Sequence, residues 1–264
     1  MSTRADGFRA LHERPEPFLL PNPWDAGTAR LLADLGFEAL ATTSLGVANA
    51  LGRRRATRQE ILDNCREIAA ATPLPVNADL ENGFADDPAE AAKMIEAAAE
   101  AGAAGASIED HTGDRDTPIY DFGLAVDRIR AAAETARARS VVLTARAENL
   151  LHGVDDLGDT IKRLQAFEEA GADVLYAPGL RTLDQMRAVV SSVGKPVNVV
   201  MGFADPSITL EQLAGIGVRR ISIGGALSRL ALKSFMDGAR EMRAGRFGFV
   251  ADLPPISELH QAFG

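Results

Sequence analysis

PVNADLENGFADDPAEAAKMIEAAAEAGAAGASIED, residues 75–110, decides the reading of the fold. The apolar run PVNADL (75–80) stops in polar residues, and a stretch with helical spacing follows over Pro88–Ala101. Ala101-Gly102 then turns the chain into a second apolar run, GASIED (105–110). A glycine just past a helix supplies the left-handed residue that ends it.

The same unit recurs along the whole chain. Apolar runs of this kind are FLLPNP (18–23), EALATTS (38–44), PVNADL, GASIED, SVVLTARAEN (140–149), ADVLYAPG (172–179), PVNVVMG (196–202) and RRISIGG (219–225). Helical stretches follow them, for example over Leu124–Ala138, Asp156–Ala170 and Thr209–Gly215, and the glycine stop repeats at Gly36, Gly171 and Gly217. Continuous apolar strands alternating with helices are buried on both faces, as in a parallel sheet. Eight such units in a chain of 264 residues predict a (β/α)8 TIM-type barrel. A doubly wound open sheet is the alternative, but no GxGxxG follows the first strand. No linker or low-complexity tract divides the chain. It reads as one barrel domain over 1–264, with a C-terminal helical extension at about 226–264.

Composition narrows the function classes. Lys+Arg 28 against Asp+Glu 37 gives a formal charge of −9, which disfavours nucleic acid and anionic membrane as partners. No run approaches the ~20 apolar residues of a membrane span, and the first residues show no signal-peptide core. One cysteine, Cys65, rules out an internal disulfide and suits a reducing cytoplasm; it falls on a helical stretch, as a buried structural thiol would.

In such a barrel the chemistry sits at the C-terminal strand ends. That rule selects Asn22, Trp24 and Asp25 after the first strand, and Thr42, Thr43 and Ser44 after the second. Asn77, Asp79 and Glu81 end the third, Glu109, Asp110 and His111 the fourth, and Arg146, Glu148 and Asn149 the fifth. Tyr176, Asn198 and Gly224-Gly225 complete the rim. The acids Asp79, Glu81, Glu109 and Asp110 would repel one another at a barrel mouth unless a cation intervenes. Oxygen ligands without His or Cys suit a hard ion, Mg2+ or Mn2+. The competing reading makes them helix caps and ion-pair partners.

Arg146 lies between apolar residues and needs an anionic partner. Its fork suits a carboxylate or phosphate, or a bridge to Glu148 or another acid of the cluster. Asp25 either contacts the ligand or caps the helix that starts at Ala26. Gly224-Gly225 reads as a phosphate cup or as tight packing. Arg53-Arg54-Arg55 reads first as a solvated face. No lysine sits at a C-terminal strand end to form a Schiff base. His111 and His152 follow strands and can carry protons.

Together these stretches resemble the isocitrate lyase/phosphoenolpyruvate mutase superfamily. The resemblance rests on PNPWDAGTARLLADLGFEALATTS (21–44), PVNADLENGF (75–84), AGAAGASIED (101–110), LTARAEN (143–149) and AGADVLYAPG (170–179). It implies a homo-oligomeric barrel, usually a tetramer, with the last barrel helix exchanged between subunits. It implies Mg2+ held largely through water by Asp79, Glu81 and Glu109. It also implies that Ser44, the backbone near Leu45 and Gly46, and Arg146 grip a 2-oxo acid or its enolate. Trp24, Asp25, Thr43 and Asn198 join this expected substrate set, and His111, Tyr120 and Tyr176 are the candidate proton carriers.

Three departures shape the expected activity. Family lyases carry a Lys-Lys/Arg-Cys-Gly-His loop, where this chain reads HTGDRDTPIYDFG (111–123). The thiol acid of isocitrate and methylisocitrate lyases is therefore missing. Arg53-Arg54-Arg55 follows Gly52 where many members place an Asp, and Asp79-Leu80-Glu81 replaces the usual Asp-x-Asp. The reading is a Mg2+-dependent carbon–carbon lyase or decarboxylase acting on a small 2-oxo or 2-hydroxy dicarboxylate through a metal-stabilised enolate. Phosphonopyruvate-type P–C chemistry and a non-catalytic 2-oxo-acid binder are the alternatives.

Overall fold

A computed structural model describes residues 3–264. All eight expected strands form: β1 (Phe18–Leu20), β2 (Leu40–Ala41), β3 (Val76–Asp79), β4 (Gly105–Glu109), β5 (Val142–Arg146), β6 (Val174–Tyr176), β7 (Val197–Val200) and β8 (Arg220–Ser222). Each is shorter than its apolar run, because the polar residues at the run ends leave the ladder to form the loops. Helix α1 (Arg4–Glu13) precedes β1, and α2 (Ala26–Asp34) follows it. Between β2 and β3 lie α3 (Ser44–Ala50) and α4 (Arg58–Ala71). The later crossovers are α5 (Pro88–Glu100), α6 (Phe122–Ala138), α7 (Leu157–Glu169), α8 (Leu183–Ser192) and α9 (Leu210–Gly215). The chain ends in α10 (Ala226–Arg243), a 3-10 turn (Gly248–Asp252) and α11 (Ile256–Phe263).

The strands are parallel in the order β1-β8-β7-β6-β5-β4-β3-β2. Ala41 N–H donates to the Pro21 carbonyl at 3.0 Å, linking β2 to the end of β1 and closing the ring. This order is a (β/α)8 barrel and excludes the doubly wound alternative. Among the described residues no helix is long and apolar enough to cross a membrane.

One row of the ladder carries much of the interior chemistry. Glu109, Arg146, Tyr176, Asn198, Arg220 and Phe18 are successive register partners from β4 round to β1. Glu109 N–H also donates to the Glu81 carbonyl at 3.0 Å, extending the row to Glu81. Strands in a barrel are staggered, so such a row spirals from the mouth toward the base. The interior layer beneath the mouth is unusually polar. Asn77, Ser107, Thr144, Asn198, Arg220 and Ser222 are all buried, where barrel cores normally hold Val, Ile and Leu.

Helix α1 plugs the base. The Phe8, His12 and Phe18 rings meet edge to face, with centroids 4.7 Å (Phe8–His12), 6.1 Å (Phe8–Phe18) and 4.9 Å (His12–Phe18) apart. At the other end of the chain, α10 keeps its apolar face open, with Phe235 74% exposed. Leu19, on the outer side of β1, is 42% exposed, so α10 does not close over its own barrel there. Helix α11 turns back onto α2, where the Arg30 guanidinium donates to the Phe263 carbonyl at 3.0 Å.

Candidate active site

The mouth is organised around Arg146, the last residue of β5. Its guanidinium donates to Asp79 Oδ1 at 2.8 Å and reaches Glu109 Oε2 at 3.0 Å and Glu148 Oε1 at 2.7 Å. Burial would lower the arginine's pKa, but the three acids outweigh it and hold the charge firmly in place. The structure thus realises the bridge reading of Arg146 and brings Asp79, Glu109 and Glu148 together. Glu148, a strand-end candidate two residues downstream of Arg146 in ARAEN, makes two contacts to that fork.

The acids outnumber their cations. Burial raises Glu109, with the Arg146 charge only partly offsetting it. Burial followed by repulsion from Asp79 and Glu109 pushes Glu81 up to about 6. Glu148 lies below the usual carboxylate range, because Arg146 and His152 overcome its burial. Strand β3 ends at Asp79, and Glu81 sits just beyond it with φ of +48°, a left-handed conformation that costs a non-glycine residue of order 1 kcal/mol. Such strain persists where the surroundings over-determine it. Here the Glu81 side chain meets Arg55 at 3.3 Å.

These oxygens fit a hard cation by charge and by donor type. Asp79, Glu109 and Glu148 share the one guanidinium of Arg146, and Glu81 meets only the half-exposed Arg55. Among the described residues, no three acidic, His or Cys side chains converge into a direct metal cage. A hydrated Mg2+, which binds one or two carboxylates directly and keeps several waters, matches such a donor set.

Two cavities of about 230 Å3 each flank Arg146. The inner one runs down the barrel axis, with Ser44, Asp79, Tyr176, Asn198 and Arg220 among its lining residues. The outer one is bounded by Arg54, Arg55, Glu81, Glu109, His111 and His152. Both are smaller than the roughly 300–1,000 Å3 of sites for drug-sized ligands, so a small acid fits and a nucleotide does not. The β2 loop supplies one wall: Ser44 N–H donates to Asp79 Oδ2 at 2.9 Å, Thr43 caps α3 through Gly46 N–H, and Leu45 lines both cavities. A side chain on Gly46 would strike the Thr43 methyl at 2.6 Å, which explains the glycine.

His111 and His152 stack with centroids 3.6 Å apart, His111 facing Glu109 at 3.7 Å and His152 facing Glu148 at 3.5 Å. Tyr176 lies under Arg146, with the guanidinium carbon 5.0 Å from its ring centroid. Burial raises the Tyr176 phenol, so it keeps its proton at neutral pH.

The structure places several other candidates away from the two cavities or in supporting contacts. Trp24 and Asp25 line neither cavity. Asp25 is the N-cap of α2, its Oδ1 accepting from the Thr28 N–H at 2.7 Å and from the Thr28 hydroxyl at 2.8 Å. Tyr120 points away from the mouth to bond Asp86 under Arg128. On the largely exposed Arg53-Arg54-Arg55 face, Arg55 pairs with Glu81 and Arg53 with Glu60. Gly224 and Gly225 line the inner cavity, and the Gly224 N–H donates to Asn22 Oδ1 at 2.8 Å. Asp110, buried and raised to about 7, accepts the Glu148 N–H at 2.8 Å and pairs with Arg163, so it braces the β5 loop from behind. Cys65 is buried and its thiol is pushed up to about 12, which makes it inert.

A (β/α)8 barrel with an acidic, arginine-centred mouth defines the class of enzyme, and comparison with known proteins supplies the family. The phosphoenolpyruvate phosphomutase family matches residues 8–243. The chain belongs to that family, within the isocitrate lyase/phosphoenolpyruvate mutase superfamily. Its structure resembles that of a Burkholderia cenocepacia J2315 protein provisionally described as a lyase/mutase, with 54% identity, TM-score 0.96, and coverage of 99% of this chain and 95% of that one. It is 30% identical to an oxaloacetate decarboxylase of Pseudomonas paraeruginosa, over 97% of this chain and 90% of that protein. It also resembles a phosphonopyruvate hydrolase solved with oxalate and Mg2+, at 25% identity and TM-score 0.88, over 99% of this chain and 95% of that one.

Proposed function

We propose that the protein is a Mg2+-dependent carbon–carbon lyase or decarboxylase acting on a small 2-oxo or 2-hydroxy dicarboxylate. One observation carries the reading: a surplus of buried carboxylates around Arg146 borders a small cavity that ends on another arginine. Asp79, Glu81 and Glu109 would hold the ion. When bound, Mg2+ supplies Lewis-acid stabilisation of negative charge developing on a 2-oxo oxygen.

The chain's own residues do the rest. Arg146 fixes Asp79, Glu109 and Glu148 and adds its field to the same point, the kind of preorganised charge worth most in a dry site. The β2 loop, Thr43 to Gly46, walls the acid against Arg146. Tyr176 offers a retained proton from below, and His111 on its stacked partner His152 is the group able to exchange one at the outer cavity. The oxaloacetate decarboxylase relative and the oxalate bound by the hydrolase relative support a short 2-oxo acid as ligand. Phosphonopyruvate-type P–C chemistry is the second reading, favoured by Arg54 and Arg55 beside the outer cavity.

In this proposal the protein works as a homotetramer. Its α10 packs on a neighbour's barrel, which explains both the open face around Phe235 and the uncovered Leu19. The assignment is tested by a turnover and thermal-shift panel with Mg2+ and EDTA controls. The panel holds oxaloacetate, 2-oxoglutarate, methylisocitrate, citramalate, dimethylmalate and phosphonopyruvate. Release of pyruvate or another 2-oxo acid only with Mg2+ is the expected result. Phosphorus NMR change with phosphonopyruvate alone would select the second reading, and binding without any product would leave a non-catalytic binder.

A further inference from the structure

Arg220 is the largest unexplained charge in the molecule. It opens β8, is only 2% exposed, and lines the inner cavity with Tyr176 and Asn198. Its partners are all neutral. Nε–H donates to Asn198 Oδ1 at 2.8 Å, one terminal nitrogen donates to the Thr144 hydroxyl at 3.0 Å, and the other meets His12 Nε2 at 3.3 Å. His12 provides no negative charge and no competing cation. Its Nδ1–H donates to the Phe8 carbonyl, leaving Nε2 as an acceptor, and burial and Arg220 push its pKa down to about 3. The other charged neighbour is Arg146, which repels, while Tyr176 stays protonated. No carboxylate answers Arg220 among the described residues, and burial drags its pKa down to about 9.

A buried arginine normally carries an anionic partner, because leaving its charge unpaired is costly. Three of its N–H groups are used by the neutral side chains, which fix the guanidinium plane, and the others have no partner among the described residues. The inner cavity therefore ends in a preoriented cation with N–H groups to spare, three strands from Arg146 along the same register row.

We propose that Arg220 is the specificity-determining residue of this site, binding the second acidic group of a dianionic substrate at the deep end of the inner cavity. The inference rests on the 2-oxo-acid reading of the mouth and adds to it which residue selects a dicarboxylate over a monocarboxylate. Arg146, already shared among three acids, cannot make that selection. Arg220 binds the distal carboxylate through the N–H groups its neutral partners leave, while Asn198 and Thr144 hold the fork in plane.

The test compares binding of pyruvate, 2-oxobutyrate and 3,3-difluorooxaloacetate, by calorimetry with Mg2+, to wild type, Arg220→Gln and Arg220→Lys. The expected result is that wild type prefers the dicarboxylate at least tenfold over both monocarboxylates. Arg220→Gln loses that preference with less than a threefold change for pyruvate, and Arg220→Lys keeps part of it. Wild type that binds the three probes alike overturns the role of Arg220 and leaves the 2-oxo-acid site standing, a result that needs no variant to fold. An equal loss for all probes in Arg220→Gln overturns it too, because the residue is then structural. Wild type that binds none of them overturns the reading of the mouth and this inference with it.

Discussion

Two arginines on one spiral row of the barrel, Arg146 and Arg220, have opposite company. Arg146 faces three carboxylates within 3.0 Å, with Glu81 beyond them. Arg220 faces an amide, a hydroxyl and a neutral imidazole. The first end has more anion than its cation can balance, the second has a cation and no anion. A ligand set consisting of a cation and a diacid corrects both imbalances at once. Neither end looks unusual when its residue types are simply counted. The difference lies in how charge is distributed along one register row, from β5 to β8.

The sharpest way to break the comparison is to remove the arginine at the acidic end. Arg146→Ala leaves buried carboxylates facing one another, and breaking a buried ion pair costs about 3–5 kcal/mol. Turnover should fall by at least about 10^2–10^3-fold, the usual loss on removing one preorganised charge. The expected signature is a lowered Tm that Mg2+ partly restores. Wild-type rates in this variant would remove Arg146 from the chemistry.

Mg2+ itself is the next lever. An ion at one hundred times its Kd stabilises the folded state by about 2.7 kcal/mol, and for a chain of this size that is a Tm rise of several degrees. EDTA should abolish the rise, and Asp79→Asn should blunt it. A Tm indifferent to Mg2+ would make the acid cluster purely structural.

The pH dependence of the metal-free protein has a defined sign. Glu81 is raised in the folded state from 4.5 to about 6, so the folded form binds its proton more tightly than the unfolded form. That contribution to stability is complete below pH 4.5 and is lost as pH rises to about 6. The loss is about 2 kcal/mol at most. Chemical denaturation across this window should show it in wild type and not in Glu81→Gln, and saturating Mg2+ should suppress it.

How much of this was legible in the sequence follows from the same geometry. The glycine-stopped repeats disclose the strands, because each apolar run must be buried on both faces. Arg146 stands out as a cation inside an apolar strand near its C-terminal end. Arg220 escapes notice, since RRISIGG places it at the start of its strand, on the side from which catalytic residues are not expected. Only the stagger of the barrel, which slides one register row from mouth to base, brings the two into one cavity. Asp25 shows the opposite failure, because a capping aspartate and a ligand-binding aspartate after a strand look identical until the Thr28 contacts are seen. The stacking of His111 on His152 joins two loops whose spacing in sequence carries no signal.

The smallest expected effect concerns Arg55, in the loop between α3 and α4. Its guanidinium meets Glu81 at 3.3 Å, but the side chain is 57% exposed, so the pair is worth less than about 1 kcal/mol. Arg55 nevertheless competes for one of the oxygens assigned to the ion. Arg55→Ala should therefore leave global stability nearly unchanged and tighten Mg2+ binding by less than about tenfold, with the gain shrinking as salt screens the wild-type pair. Calorimetric Mg2+ titrations at two ionic strengths resolve it. Weaker Mg2+ binding in the variant would mean that Arg55 positions Glu81 for the ion rather than competing with it, and that the strained conformation of Glu81 depends on this contact.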